Sequence, residues 1–172
     1  MLTVNHLIGF GSGDVQFQIP AYTNAGGTGD RQASITATTN LTVAQGVISN
    51  MIDGGLGYNS TDGISLSSQA WTGKYIRFDF GSPVLITEMK VYCEAAGFYN
   101  GSTSIFRGSS DASSWTTYGA SVAILSDAGP LEYTELSTNV TGYRYYQIEG
   151  DSGSINIGPW MREWEFKIGN IL

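Results

Sequence analysis

One histidine, His6, and one cysteine, Cys93, are the only imidazole and the only thiol in the chain. A hydrolytic triad needs a base held beside its nucleophile, and His6 lies in a glycine-rich opening stretch with no motif around it. Cys93 falls on the apolar side of an alternating run, where a thiol packs as a small inert hydrophobe. Zinc would need clustered Cys and His, and no glycine-rich phosphate loop opens a helix. Glu163 and Glu165 stand two apart on a predicted strand, which sets them roughly 7 Å apart on one side. That separation suits an inverting glycosidase. Neighbouring carboxylates on one strand do not straddle a sugar, however, and the pair reads as a solvated face. The chain is therefore read as a non-enzyme.

Aromatic side chains offer recognition instead. Trp71, Trp115, Trp160 and Trp164 accompany ten tyrosines. Trp164 alternates with Phe166 and Ile168 and belongs to a core, while Trp115 is expected to pack under a loop. Trp160 follows Gly158-Pro159 in a loop before the last strand, with no periodic reason for burial. An exposed indole can stack on the apolar face of a sugar ring while its N–H reaches a hydroxyl. Tyr58 and Tyr99, beside Asn59 and Asn100 in polar loops, offer the same chemistry. With Arg162 they complete the candidate ligand-binding set.

The elements that must hold these residues are mostly strands. Asp14–Ile19 alternates with period two until Pro20, and Lys74–Phe80 puts Ile76, Phe78 and Phe80 on one side. Gly81-Ser-Pro reads as a turn, after which Leu85, Met89, Val91 and Cys93 point inward. Further runs occur at Thr103–Arg107, Ser121–Leu125, Tyr143–Glu149 and Trp164–Ile168, separated by Gly, Ser, Asn and Asp, as in a β-sandwich or barrel. Val43, Val47, Ile48, Met51 and Ile52 share a helical face, with Thr42 and Gln45 spaced as a capping box and Gly54-Gly55 as the stop, which predicts one short helix. Gly55–Ser68 reads as a long exposed loop. Residues 1–30 read as an arm or extra strands, and 31–172 as the domain.

Composition narrows the partners. Eight basic and fifteen acidic side chains leave a net charge of −7, which argues against phosphate tracking along nucleic acid and against anionic membrane surfaces. Only 13% of residues are charged, about half the usual share of roughly 25%, with Ser and Thr supplying surface polarity. The four Asn-x-Ser/Thr sequons, at Asn40, Asn59, Asn100 and Asn139, arise easily in such a chain. The opening residues carry no basic segment followed by an apolar core, so manufacture in a cytoplasm is expected.

Several motifs, in order, resemble one family. Asn50-Met-Ile-Asp-Gly-Gly is similar to the "DG" helix end of discoidin or coagulation factor 5/8 type C domains, the galactose-binding-like group that includes family 32 carbohydrate-binding modules. Trp71 then leads into Lys74-Tyr-Ile-Arg-Phe-Asp-Phe-Gly-Ser-Pro, which resembles the family's strand–Asp–Leu–Gly–turn–strand segment. Gly108-Ser-Ser-Asp-Ala-Ser-Ser-Trp115 resembles its hairpin, Tyr143-Arg-Tyr-Tyr-Gln-Ile its penultimate strand, and Arg162-Glu-Trp-Glu-Phe its closing strand. The resemblance spans about residues 32–169 and implies an all-β fold, a β-sandwich jelly roll that binds glycans through loops at one end. It also implies a structural Ca2+ held by Asp53, Thr61 and Glu163, oxygen donors that suit the ion. It places the sugar platform at Trp160. The galactose binders' histidine is Thr72 here and their arginine falls near Glu94, so galactose itself is not implied.

Two readings follow. One is a glycan-binding adhesion module, weak per sugar and strengthened by many copies. The other is a structural virion protein, a bacteriophage decoration or tail-associated subunit docked to other virion proteins through its N-terminal arm. The opening Leu7-Ile-Gly-Phe-Gly-Ser-Gly resembles small bacteriophage proteins, and the two readings are compatible.

Overall fold

The computed structural model describes residues 29–57, 59–93, 100–123, 129–156 and 160–169. The predicted strand Asp14–Ile19, and with it the arm on which the virion reading rests, lies outside them.

Among the described residues, eleven strands form two sheets. Sheet A runs β1 (Thr36–Thr39), β5 (Tyr75–Val84), β10 (Tyr143–Ile155), β7 (Asn100–Ser109), β8 (Thr116–Ala123), with β4 (Gln69–Ala70) also on β10. Sheet B runs β2 (Val43–Gln45), β3 (Ile64–Leu66), β11 (Trp160–Ile168), β6 (Ile86–Cys93), β9 (Gly129–Tyr133). Every strand pair is antiparallel. The all-β sandwich expectation holds.

Period-two alternation explains the core. Ile76 and Phe78 of β5, Phe106 of β7 and Ile148 of β10 face Met89 and Val91 of β6 and Trp164 and Phe166 of β11, all fully buried or nearly so. Phe78 meets Phe166 edge-on with centroids 4.8 Å apart. Each such ring contributes about 1.5–3 kcal/mol through burial. Gly81–Pro83, expected as a turn, continues β5 instead; the chain passes from sheet A to sheet B at Leu85. Tyr146 fixes that crossing. Its hydroxyl donates to Val84 O at 2.7 Å and accepts from Ile86 N and Asn139 Nδ2.

The predicted helix over residues 43–52 is not formed. Val43 pairs with Leu66 in β2, and only Ile48–Ile52 coil, as a single 3-10 turn with Met51 and Ile52 buried. Gly46 decides this. It sits at φ +79°, and a Cβ there would lie 2.0 Å from Gly63 O, so the backbone cannot run on helically. The capping box fails too, because Val47 caps the turn without a side-chain bond. Gly55–Ser68 is likewise not one exposed loop, since β3 within it is buried at all three positions.

Candidate functional site

At one end of the sandwich, residues 53–57 and 59–63 lead into β3, which pairs with the start of β11, and β6 ends at Cys93 opposite Met161 of β11. Trp160 heads β11 opposite Ser65 and is half-buried, so it belongs to the strand rather than to the loop before it. Met161 points into the core, so alternation stands Trp160 on the other side; the register slips between Met161 and Glu163, and Arg162 is placed by its hydrogen bonds. Arg162 Nη1 donates to Leu56 O at 2.9 Å and Nη2 to Cys93 O at 3.3 Å. One guanidinium thus ties the segment at Leu56 to the end of β6.

Asn59 lies exposed in the segment before β3. Its Oδ1 accepts from Thr61 N at 2.8 Å and its Nδ2 donates to Asp62 Oδ2 at 2.8 Å. Asn50 holds this turn down by donating to Ser60 O. Asn100 opens β7 opposite Ser154 at the same end, with its side chain outside the described atoms. Tyr58 and Tyr99 lie outside the described residues. Trp115 lies half-buried on the outer face of sheet A, its ring centroid 4.8 Å from Arg77 Cζ.

The carboxylates behave differently from expectation. Glu163 and Glu165 are both 0% exposed, so they are not a solvated face. Lys90 neutralises Glu165 at 2.9 Å; burial pushes the Lys90 ammonium down, and Glu165 together with Tyr92 more than reverses this, leaving it above its ordinary value. Arg31 forms an ion pair with Glu163 and donates from Nη2 to Trp164 O at 2.7 Å. Burial pulls the Arg31 guanidinium below its ordinary value, against the opposing pull of Glu165 and Asp53. Glu163 Oε2 also accepts from Gly54 N at 3.0 Å. Arg31 is the residue that sequence reasoning missed. It is 132 positions from Glu163, and only tertiary pairing brings them together.

The proposed calcium set can be tested on this geometry. Asp53 and Glu163 converge on adjacent peptides, since Asp53 Oδ1 accepts from Gly55 N at 2.7 Å and Glu163 from Gly54. Burial, with Asp62 and Asp30 nearby, raises the Asp53 carboxyl above its ordinary value. Thr61, though, turns its hydroxyl to Asn59 and Asp62, and Arg31 already supplies the positive charge on Glu163. Among the described residues no three His, Cys, Asp or Glu side chains make a metal-binding group. The set does not fit an ion that takes six to eight oxygens. Chelator is therefore expected to leave the melting midpoint unmoved in a thermal scan. A midpoint that climbs with added calcium, as binding linkage requires, overturns this.

Neither a family model nor a curated protein matches the sequence. Solved structures do. The family 32 carbohydrate-binding module of AlyQ, in complex with 4,5-unsaturated mannuronic acid, is 23% identical, with a TM-score of 0.53 over 76% of this chain and 92% of that one. The fold is the galactose-binding-like β-sandwich. The family 32 module of Clostridium perfringens NanJ, in complex with galactose, gives 0.57 at 12% identity over 80% and 96% of the two chains. A mutant lectin-binding domain of lectinolysin complexed with Lewis b gives 0.56 at 15%, over 83% and 97%. The β-sandwich fold implied by the ordered motifs is thereby shown.

Proposed function

We propose that this chain is a non-catalytic glycan-binding module whose site is the end of the sandwich headed by Trp160. The observation that carries the reading is a half-buried indole at the head of β11, two residues before an Arg162 guanidinium that ties the segment at Leu56 to the end of β6. A sugar ring stacks on the indole, and the polar groups around Asn59 serve its hydroxyls. The three similar structures, each solved with a sugar according to its own description, support the class of ligand. Glu163 and Glu165, the carboxylate pair whose spacing suits an inverting glycosidase, are buried and ion-paired, which supports a binding role. A shallow platform of this kind binds each sugar weakly, and display in several copies raises the effective strength.

Trp160→Ala is expected to lower binding to an immobilised glycan array at least about tenfold, the loss that follows from removing about 1.5–3 kcal/mol of stacked area. The melting midpoint should move little. Undiminished binding by the variant rules the platform out.

A further inference from the structure

The outer face of sheet A is set apart from the rest of the surface. Register aligns Thr38 of β1, Arg77 of β5, Gln147 of β10, Arg107 of β7 and Thr117 of β8 in one row. Five strands at about 4.8 Å spacing make that row about 19 Å long. Arg77 Nε donates to Gln147 Oε1 at 2.9 Å, and Gln147 Nε2 donates to Glu149 Oε2 at 2.7 Å. Arg107 completes the chain by pairing with the same Glu149 oxygen at 3.1 Å. Gln147 is 2% exposed, so this polar chain is held rather than free to swing.

Arg77 differs from its neighbours. Arg107 pairs with Glu149 and Arg144 with Asp79, the latter through two bonds of 2.8 Å. Among the described residues Arg77 meets no carboxylate within ion-pair distance, although the chain carries fifteen acidic side chains against eight basic ones. Its guanidinium lies between two rings instead, 4.4 Å from the Tyr75 centroid and 4.8 Å from that of Trp115. Nε is spent on Gln147, which leaves the Nη edge as a fork of fixed orientation, the geometry that takes a carboxylate bidentately. Trp115 and Tyr75 beside that fork offer apolar area for a sugar ring. Thr38 and Thr117, both exposed, put hydroxyls at the two ends of the row.

We propose that this face, centred on Arg77 between Tyr75 and Trp115, is a second glycan site that takes a linear polyuronate. One sugar carboxylate sits on the Arg77 fork, and the chain lies along the open row. The polymer fits better than a short sugar because the row runs to both edges of the sheet. An acidic polymer fits better than a neutral one because Arg77, at the centre of the row, meets no carboxylate among the described residues, whereas Arg107 in the same row is already paired with Glu149. This site is separate from the Trp160 end, and neither depends on the other.

Affinity electrophoresis of the full chain in gels cast with sodium alginate tests it, with neutral galactan gels alongside. The wild type is expected to be retarded by alginate. Arg77→Gln should weaken that retardation about tenfold or more, and about 0.5 M NaCl should weaken it too. Trp160→Ala should leave it in place, and Arg77→Gln should leave any galactan retardation unchanged. Alginate should also shift the indole emission of the wild type, a shift reduced in Trp115→Phe, which keeps the proposal testable if Arg77→Gln folds poorly. Equal alginate retardation of wild type and Arg77→Gln overturns the site, as does no retardation of the wild type. Loss of alginate binding in Trp160→Ala moves the polymer to the other end and overturns it as well.

Discussion

Replacing Glu163 by alanine is expected to be among the most damaging single changes in this protein, costing about 3–5 kcal/mol of folding stability. The carboxylate is fully buried and serves two partners at once, the Arg31 guanidinium and the Gly54 N–H. Alanine leaves the half-buried Arg31 cation without its ion-pair partner and a peptide donor without its acceptor. Both penalties are desolvation costs that nothing repays. In a thermal scan the midpoint should fall by about 10 °C. The double replacement Arg31→Met with Glu163→Leu separates this account from a merely steric one. Removing both charges together removes the orphan, so the double variant should recover most of the lost stability. If it is as unstable as Glu163→Ala, the charge pairing is not what holds this corner.

The corner also shows where sequence reading succeeds and where it stops. Alternation at Ile76 and Phe78 and at Met89, Val91 and Cys93 is a local signal, and these side chains are buried as expected. Trp164 and Phe166 followed the same rule. The ordered motifs carried the architecture further than any one strand could. At Val43–Ile52 the spacing fitted a helical face, but apolar residues at such spacing fit a short strand and a turn as well, and the close approach of Gly46 to Gly63 decided between them. That approach is tertiary, and nothing in the adjacent residues announces it. Glu163 and Glu165 were misplaced for a related reason. Polar residues opposite a core face normally meet water, and only the arrival of Arg31 and Lys90 from elsewhere allows them to be buried. Within the candidate site, Trp160 was singled out by its type, but its place at the head of β11 rather than in the loop before it was not legible. The role of Arg162 as a tie between the Leu56 segment and the end of β6 was not legible either, because its acceptors are backbone carbonyls, which any sequence supplies.

Gly150→Ala should be about as harmful, by steric rather than electrostatic means. A Cβ at Gly150 would lie 2.0 Å from Trp71 O and 2.5 Å from Trp71 C, and backbone does not swing aside as a flexible side chain does. The contact is tight because two segments are laced together there. Gly73 N donates to Gly150 O and Gly150 N to Lys74 O, each at 2.8 Å. Thr72 forms the one parallel bridge with Gly150 among the described residues. Trp71 cannot retreat inward, since its indole is fully buried and donates to Ser104 Oγ at 2.8 Å. To admit one methyl group, the lacing must open or the indole must leave its slot. Overpacking alone costs about 1–3 kcal/mol, and the lost backbone bonds add roughly 1 kcal/mol each, so a loss of about 3–5 kcal/mol is expected in denaturant unfolding. Trp71 follows β4, which pairs with β10 at Ser154 and Ile155, the strand end that leads toward Trp160. Any opening there should also loosen the glycan platform, so weak binding is expected even from the fraction that stays folded. A variant that keeps both its unfolding midpoint and its glycan retention would mean that the Trp71 segment yields freely, and the rigid footing assigned to this end of the sandwich would be wrong.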